Sequence, residues 1–81
     1  MPVNVRVLFF GATADVVGKR EMQLSVPDEV AAGTIFEKLT VDYPDLKRHK
    51  LLFSLNQNYA SGDEPLNDGD ELAVFTAVSG G

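Results

Sequence analysis

Asp28-Glu29-Val30-Ala31-Ala32-Gly33-Thr34-Ile35-Phe36-Glu37-Lys38-Leu39-Thr40-Val41-Asp42-Tyr43-Pro44 is the one long stretch with helical period in a chain whose other apolar runs alternate. Ile35, Leu39 and Tyr43 are spaced i, i+4, i+8, so one face of a helix is apolar, with Val30, Ala31 and Phe36 beside it. Pro27 and Asp28 form a turn signal, Asp28 is of the type that caps a helix, and Pro44 ends the pattern after Tyr43. Gly33 opposes the assignment by about 1 kcal/mol relative to Ala. A single amphipathic helix buries its stripe against something flat, which the flanking segments supply.

Upstream, Val3 to Phe10 alternates. Val3, Val5, Val7 and Phe9 share one face, and Asn4, Arg6, Leu8 and Phe10 share the other, which begins polar and ends apolar. Gly11 breaks this strand, Ala12 to Val17 is compatible with a short helix, and Gly18 closes it. Glu21 to Val26 alternates again with Met22, Leu24 and Val26 inward, as expected for antiparallel pairing with the first strand. Downstream, Leu51 to Leu55 reads as a third strand and Asn56-Gln57-Asn58 as a tight turn. A brief fourth strand spans Asn58 to Ala60. Asn67-Asp68-Gly69-Asp70 is a second turn, and Glu71 to Phe75 is the last strand, with Leu72 and Val74 inward.

One helix covering one face of a mixed sheet of four to five strands is a two-layer α+β domain. A right-handed crossover through the helix sets a later strand parallel to the first, which the β-grasp arrangement satisfies with the first and last strands adjacent at the centre. Their C-terminal ends then lie side by side. Phe10 and Phe75, both of outward parity, are expected to form an apolar patch on the face that the helix leaves open, with Tyr59 a further candidate.

Eighty-one residues make one small domain, expected over 1–75, with 76–81 a flexible C-terminal tail. There is no cysteine, so disulfides, cysteine metal sites and cysteine nucleophiles are excluded. No apolar stretch approaches the roughly 20 residues of a membrane span, and the N-terminus lacks signal-peptide features, so a cytoplasmic location is expected. Seven basic against twelve acidic residues give a net charge of −5, which disfavours nucleic acid and suits a basic protein partner. The run Lys47-Arg48-His49-Lys50 reads as a solvated loop. His49 is the only histidine, and no Ser-His-Asp set, metal-ligand spacing or phosphate loop occurs, so neither an autonomous enzyme nor a metal or cofactor site is expected. The acidic cluster Asp68, Asp70 and Glu71 is read as turn chemistry rather than a cation site.

The chain ends Val78-Ser79-Gly80-Gly81. A diglycine buries nothing and is conformationally loose, so alone it fits equally a frayed end or a group presented to a partner. Side-chain-free residues thread a narrow slot, where the α-carboxylate is the only distinctive group. Six residues follow Phe75, a reach of roughly 20 Å when extended.

Several segments together resemble the small subunit of molybdopterin synthase: Val7-Leu8-Phe9-Phe10-Gly11, Leu55-Asn56-Gln57, Pro65-Leu66-Asn67-Asp68-Gly69-Asp70-Glu71 and Val78-Ser79-Gly80-Gly81. The resemblance spans essentially the whole chain. It implies a ubiquitin-like fold and a sulfur carrier of molybdenum cofactor biosynthesis. An ATP-dependent activating enzyme would adenylate Gly81, and a sulfur donor would convert it to a thiocarboxylate. That sulfur would pass to a cyclic pyranopterin monophosphate in a pocket of the large subunit, within a heterotetramer of two small and two large subunits. The resemblance makes Phe10, Tyr59 and Phe75 docking residues and Val78, Ser79 and Gly80 the inserted tail. Asp15 matches only the acid of the Arg-Glu pair many such chains carry near Ala14 and Asp15, and Thr76 and Ala77 stand where two prolines are common. A thiamine-thiazole sulfur carrier and a ubiquitin-like protein modifier share the fold and the activation chemistry and remain as alternatives.

Overall fold

The structure, a computed structural model, describes residues 2–27 and 29–76. Strand β1 (Val3–Phe9) leads through the short helix α1 (Ala12–Val17) to β2 (Glu21–Val26). The main helix α2 (Ala32–Asp42) and a 3-10 helix (Pro44–Arg48) follow, then β3 (Leu51–Leu55), β4 (Asn58–Tyr59) and β5 (Glu71–Thr76). The sheet order is β2-β1-β5-β3-β4, with β1 and β5 parallel and every other pair antiparallel. Placing the first and last strands side by side requires the crossover that α2 provides.

The alternation that defines the strands also sorts the two faces. Val3, Val5, Val7 and Phe9 are buried on β1, as are Leu72 and Val74 on β5. They meet Ile35, Phe36 and Leu39 of α2, and the Phe36 ring stacks on Phe53 of β3 at a centroid distance of 3.7 Å. Leu46, fully buried, anchors the 3-10 helix to the same core.

The start of α2 departs from the expectation. Val30 and Ala31 precede the helix, Ala31 forming an isolated bridge with Pro65, and Asp28 lies outside the described residues. No side chain caps the first turn. Loop carbonyls do so instead: the Ala32 N–H donates to Glu64 O at 2.8 Å and the Gly33 N–H to Gly62 O at 2.9 Å. This brings two backbones together so closely that a Cβ on Gly33 would sit 2.9 Å from the Gly62 carbonyl oxygen. Gly33, unfavourable as a helix former, is required by that approach. The loop is fixed by Glu64, whose carboxylate accepts the Ser61 N–H at 2.7 Å and the Gly62 N–H at 2.8 Å.

A second correction concerns the basic run. Pro44 ends α2 but opens the 3-10 helix, so Lys47 and Arg48 sit on an ordered turn and not in a simple loop. Pro suits a first helical position because its missing N–H would be unpaired there. The remaining boundaries shift by one residue: β1 ends at Phe9, β4 at Tyr59 and β5 at Thr76. Asn56 and Gln57, with φ of 51° and 72°, form the two-residue turn between β3 and β4.

Candidate functional site

Parallel pairing fixes the geometry of the uncovered face. In the β1–β5 register Arg6 lies opposite Glu71, Leu8 opposite Ala73 and Phe9 opposite Val74. The Phe10 N–H donates to Val74 O at 3.1 Å and carries the ladder one residue further, towards Phe75. On β3, Leu52 faces Phe75 and Ser54 faces Ala73, while Tyr59 of β4 faces Ser54. Cross-strand partners share a face, so Leu8, Ala73, Ser54 and Tyr59 form one row, with Phe10, Phe75 and Leu52 beside it. Midway along this face Arg6 lies between Glu21 at 3.5 Å and Glu71 at 3.8 Å. The outer surface therefore carries an ionic group around Arg6 and an apolar one where β5 finishes.

The three predicted docking residues are all on this face. Phe10 is 51 % exposed and Tyr59 77 %. The Tyr59 and Phe75 rings are 6.2 Å apart and tilted by 46°. Phe10 stands one strand away, on the rim of a shallow hollow of about 660 Å³ that Leu8, Ala14, Asp15, Arg20 and Glu21 also line. Tyr59 and Phe75 thus form a ring pair, and Phe10 adds a third aromatic at the same end of the open face. Gly80, Gly81, Val78 and Ser79 lie outside the described residues, as does Ala77.

Sequence reasoning missed two contributors. Leu52 joins the patch; in β3, Leu-Leu-Phe-Ser-Leu, the single polar residue Ser54 shares its parity and is the one signal that could have marked it as outward. Thr13 is the other. Its side chain is fully buried, with the hydroxyl 2.7 Å from Phe10 O and 3.0 Å from Val74 O. The same oxygen accepts the Phe10 N–H at 3.0 Å. One hydroxyl thus ties the end of β1 to the end of β5 and fixes the backbone that carries Phe10. Nothing in the spacing of Ala12 to Val17 distinguishes this residue.

The acidic turn is held by its own hydrogen bonds. Asp70 accepts the Asn67 N–H at 2.7 Å and the Asn56 side-chain amide at 3.0 Å, and Asp68 accepts the Asn4 N–H at 2.8 Å. These carboxylates link the loop to β1 and to the β3–β4 turn, a structural use that needs no ion. Among the described residues no cluster of three or more His, Cys, Asp or Glu has the arrangement of a metal site, and no helix is long and apolar enough to cross a membrane.

The five-stranded sheet with parallel β1 and β5 at its centre, one main helix on a single face and an aromatic patch at the end of β5 define a ubiquitin-like β-grasp protein. Comparison with known proteins narrows this. The chain belongs to the ThiS family, which matches residues 7–81. It is 35% identical to the human molybdopterin synthase sulfur carrier subunit, over 96% of this chain and 94% of that one. The crystal structure of small archaeal modifier protein 1 from Haloferax volcanii superposes with a TM-score of 0.82 at 27% identity, covering 96% of this chain and 99% of that one. A chain in the complex of subunits 1 and 2 of the molybdopterin-converting factor from Helicobacter pylori has the same fold, with a TM-score of 0.68 at 21% identity, over 98% of this chain and 100% of that one.

Proposed function

We propose that this chain is the sulfur carrier subunit of a molybdopterin synthase and that the carboxylate of Gly81 carries the sulfur. One observation supports this above the others: the aromatic patch of Phe10, Tyr59 and Phe75 lies at the end of the central strand from which the Val78-Ser79-Gly80-Gly81 segment continues. The patch docks the partner, and the segment, free of bulky side chains over its last three residues, enters a narrow pocket there. The family match, which runs through Gly81, and the names of the curated relatives support the same reading.

The chemistry follows from the carboxylate. A resonance-stabilised carboxylate is a poor electrophile, so an ATP-dependent adenylating enzyme first forms the acyl adenylate with release of pyrophosphate. A sulfur nucleophile then displaces AMP and leaves a thiocarboxylate, which is ionised and nucleophilic at neutral pH. Within the large subunit this sulfur attacks the cyclic pyranopterin monophosphate, and two such transfers complete the dithiolene. The remaining reactive groups, including the nucleotide site, belong to the partners. The chain acts as the sulfur-donating subunit of a heteromeric sulfurtransferase in the cytoplasm, with two small and two large subunits.

Incubation with the cognate adenylating enzyme, ATP and a sulfur donor should raise the intact mass by the difference between sulfur and oxygen, located on Gly81. Reconstitution with the large subunit and the pterin precursor should then give molybdopterin, and deletion of Gly81 should abolish it. An unchanged mass in the presence of a competent activating enzyme refutes the proposal. The likeness to the archaeal modifier protein favours protein modification as a second reading. Isopeptide-linked conjugates that require Gly81, with no molybdopterin formed, would select it.

A further inference from the structure

Five of the seven basic residues gather at one end of the domain. Lys19 and Arg20 precede β2, whose first residue Glu21 pairs with Leu8 near the end of β1, and Arg20 O accepts the Phe9 N–H. Lys47 and Arg48 close the 3-10 helix, and Lys50 precedes Leu51, the partner of Thr76 at the end of β5. The other two, Arg6 and Lys38, are mid-sheet and mid-helix. Asp15, Glu21, Asp42 and Asp45 accompany these cations, whereas Glu29, Asp63, Glu64, Asp68, Asp70 and Glu71 at the opposite end have no Lys or Arg among them except Arg6 beside Glu71. A chain with a net charge of −5 is thus polarised along the sheet, with its cations around the point where β5 finishes.

The corner at Lys47, Arg48 and Lys50 is built for presentation. Leu46 is fully buried, and the His49 N–H donates to Leu46 O at 3.1 Å, so the turn is fixed and its neighbours point to solvent. Lys47, Arg48 and Lys50 are exposed. Arg48 meets only Asp45, at 3.7 Å and on a largely exposed pair, and among the described residues neither Lys47 nor Lys50 has a carboxylate partner. The alternation of β3, continued back by one residue, puts Lys50 on the same face as Leu52, beside Phe75. Lys50 is therefore a charged rim on the apolar patch, with Lys47 and Arg48 on the adjoining 3-10 turn, the usual arrangement of a protein interface in which a desolvated centre supplies affinity and peripheral charges set encounter rate and orientation.

We infer that Lys47, Arg48 and Lys50 dock an acidic surface of the large subunit, next to the opening that takes up the C-terminal segment. The inference rests on the sulfur-carrier reading and adds to it the charge of the partner's rim and the residues that read it. Net charge alone suits a basic partner, but the local charge at this corner calls for an acidic surface there; the acidic remainder of the chain is repelled by that surface, so the basic corner arrives first.

The test is stopped-flow association of the full-length chain with its cognate large subunit across a salt series, comparing wild type, the double variant Lys47→Glu/Lys50→Glu and the control Lys38→Glu on α2. The double variant should associate roughly tenfold more slowly at low salt, with a dissociation rate within about twofold of wild type and a flattened or inverted salt dependence. The control should remain within about twofold of wild type. All sites are exposed, so circular dichroism should show unchanged folding. Wild-type binding with no effect of the double variant overturns the inference and leaves the sulfur-carrier reading standing. Intact binding with loss of adenylation assigns the corner to the activating enzyme and also overturns it. A wild-type chain that does not bind the large subunit at all removes the sulfur-carrier reading itself, and this inference with it.

Discussion

Replacing Gly33 by Ala sets two physical effects against each other. Helix propensity favours Ala, by at most about 1 kcal/mol at this first-turn position. The tertiary structure opposes it. The new Cβ would lie 2.9 Å from Gly62 O, 3.2 Å from Gly62 Cα and 3.4 Å from Gly62 C, so a backbone segment has to move by a few tenths of an ångström. That segment cannot move freely. It is pinned by the Gly33 N–H to Gly62 O bond at 2.9 Å, the Ala32 N–H to Glu64 O bond at 2.8 Å, and the Glu64 carboxylate on the Ser61 and Gly62 N–H groups. Forcing an extra carbon into such a contact costs about 1–3 kcal/mol, which exceeds the propensity gain. The net expectation is a loss of about 1 kcal/mol, seen as a lower urea midpoint at unchanged slope and a Tm lower by roughly 5 °C. Thr34→Ala is the control, because Thr34 is exposed and the same propensity rule should stabilise it slightly. A Gly33→Ala variant more stable than wild type would refute the close approach of the loop to α2.

The other predictions concern the site and its support. Thr13→Val keeps the shape and removes the hydroxyl; because Val74 O retains the Phe10 N–H and Phe10 O retains the Thr13 N–H, the loss should be about 1 kcal/mol, at the low end for a buried group, and Phe10 resonances should shift in NMR spectra. Tyr59→Ser should leave the free energy of urea unfolding within about 0.5 kcal/mol of wild type, since Tyr59 is 77 % exposed, yet weaken binding to the large subunit by roughly 2 kcal/mol, measured by calorimetry. The Ser61 N–H, followed by the N–H groups of Glu64 itself and Gly62, holds the Glu64 carboxyl below its ordinary value of 4.5. A depressed folded-state value stabilises the fold above the unfolded value and loses that contribution as pH falls through the folded one. The gap in Tm between wild type and Glu64→Gln should therefore be constant near neutrality and close as pH drops below about 4.5. A gap that widened on acidification would contradict the assigned hydrogen bonds.

Alternation and helical period are local properties, and they sufficed for the strand faces, for α1 closed by Gly18, and for the outward placement of Phe10 and Phe75. The order of elements then left little freedom, because one amphipathic helix between a hairpin and later strands has to cross over the sheet and set β5 against β1.

What the sequence could not determine are contacts between residues distant along the chain. Thr13 is an unremarkable helix residue until folding brings Val74 O within 3.0 Å of it. Leu52 is marked as outward only by the single polar Ser54 of its parity, and its place in the patch is fixed only once Phe75 is set opposite. Gly33 reads as a defect in its helix and is a necessity once Gly62 arrives, and the basic run reads as solvated loop until Leu46 anchors it beside the end of β5. Periodicity reports which way a side chain points relative to its own neighbours, whereas these roles depend on the positions of atoms far away in sequence, and only the folded chain supplies those.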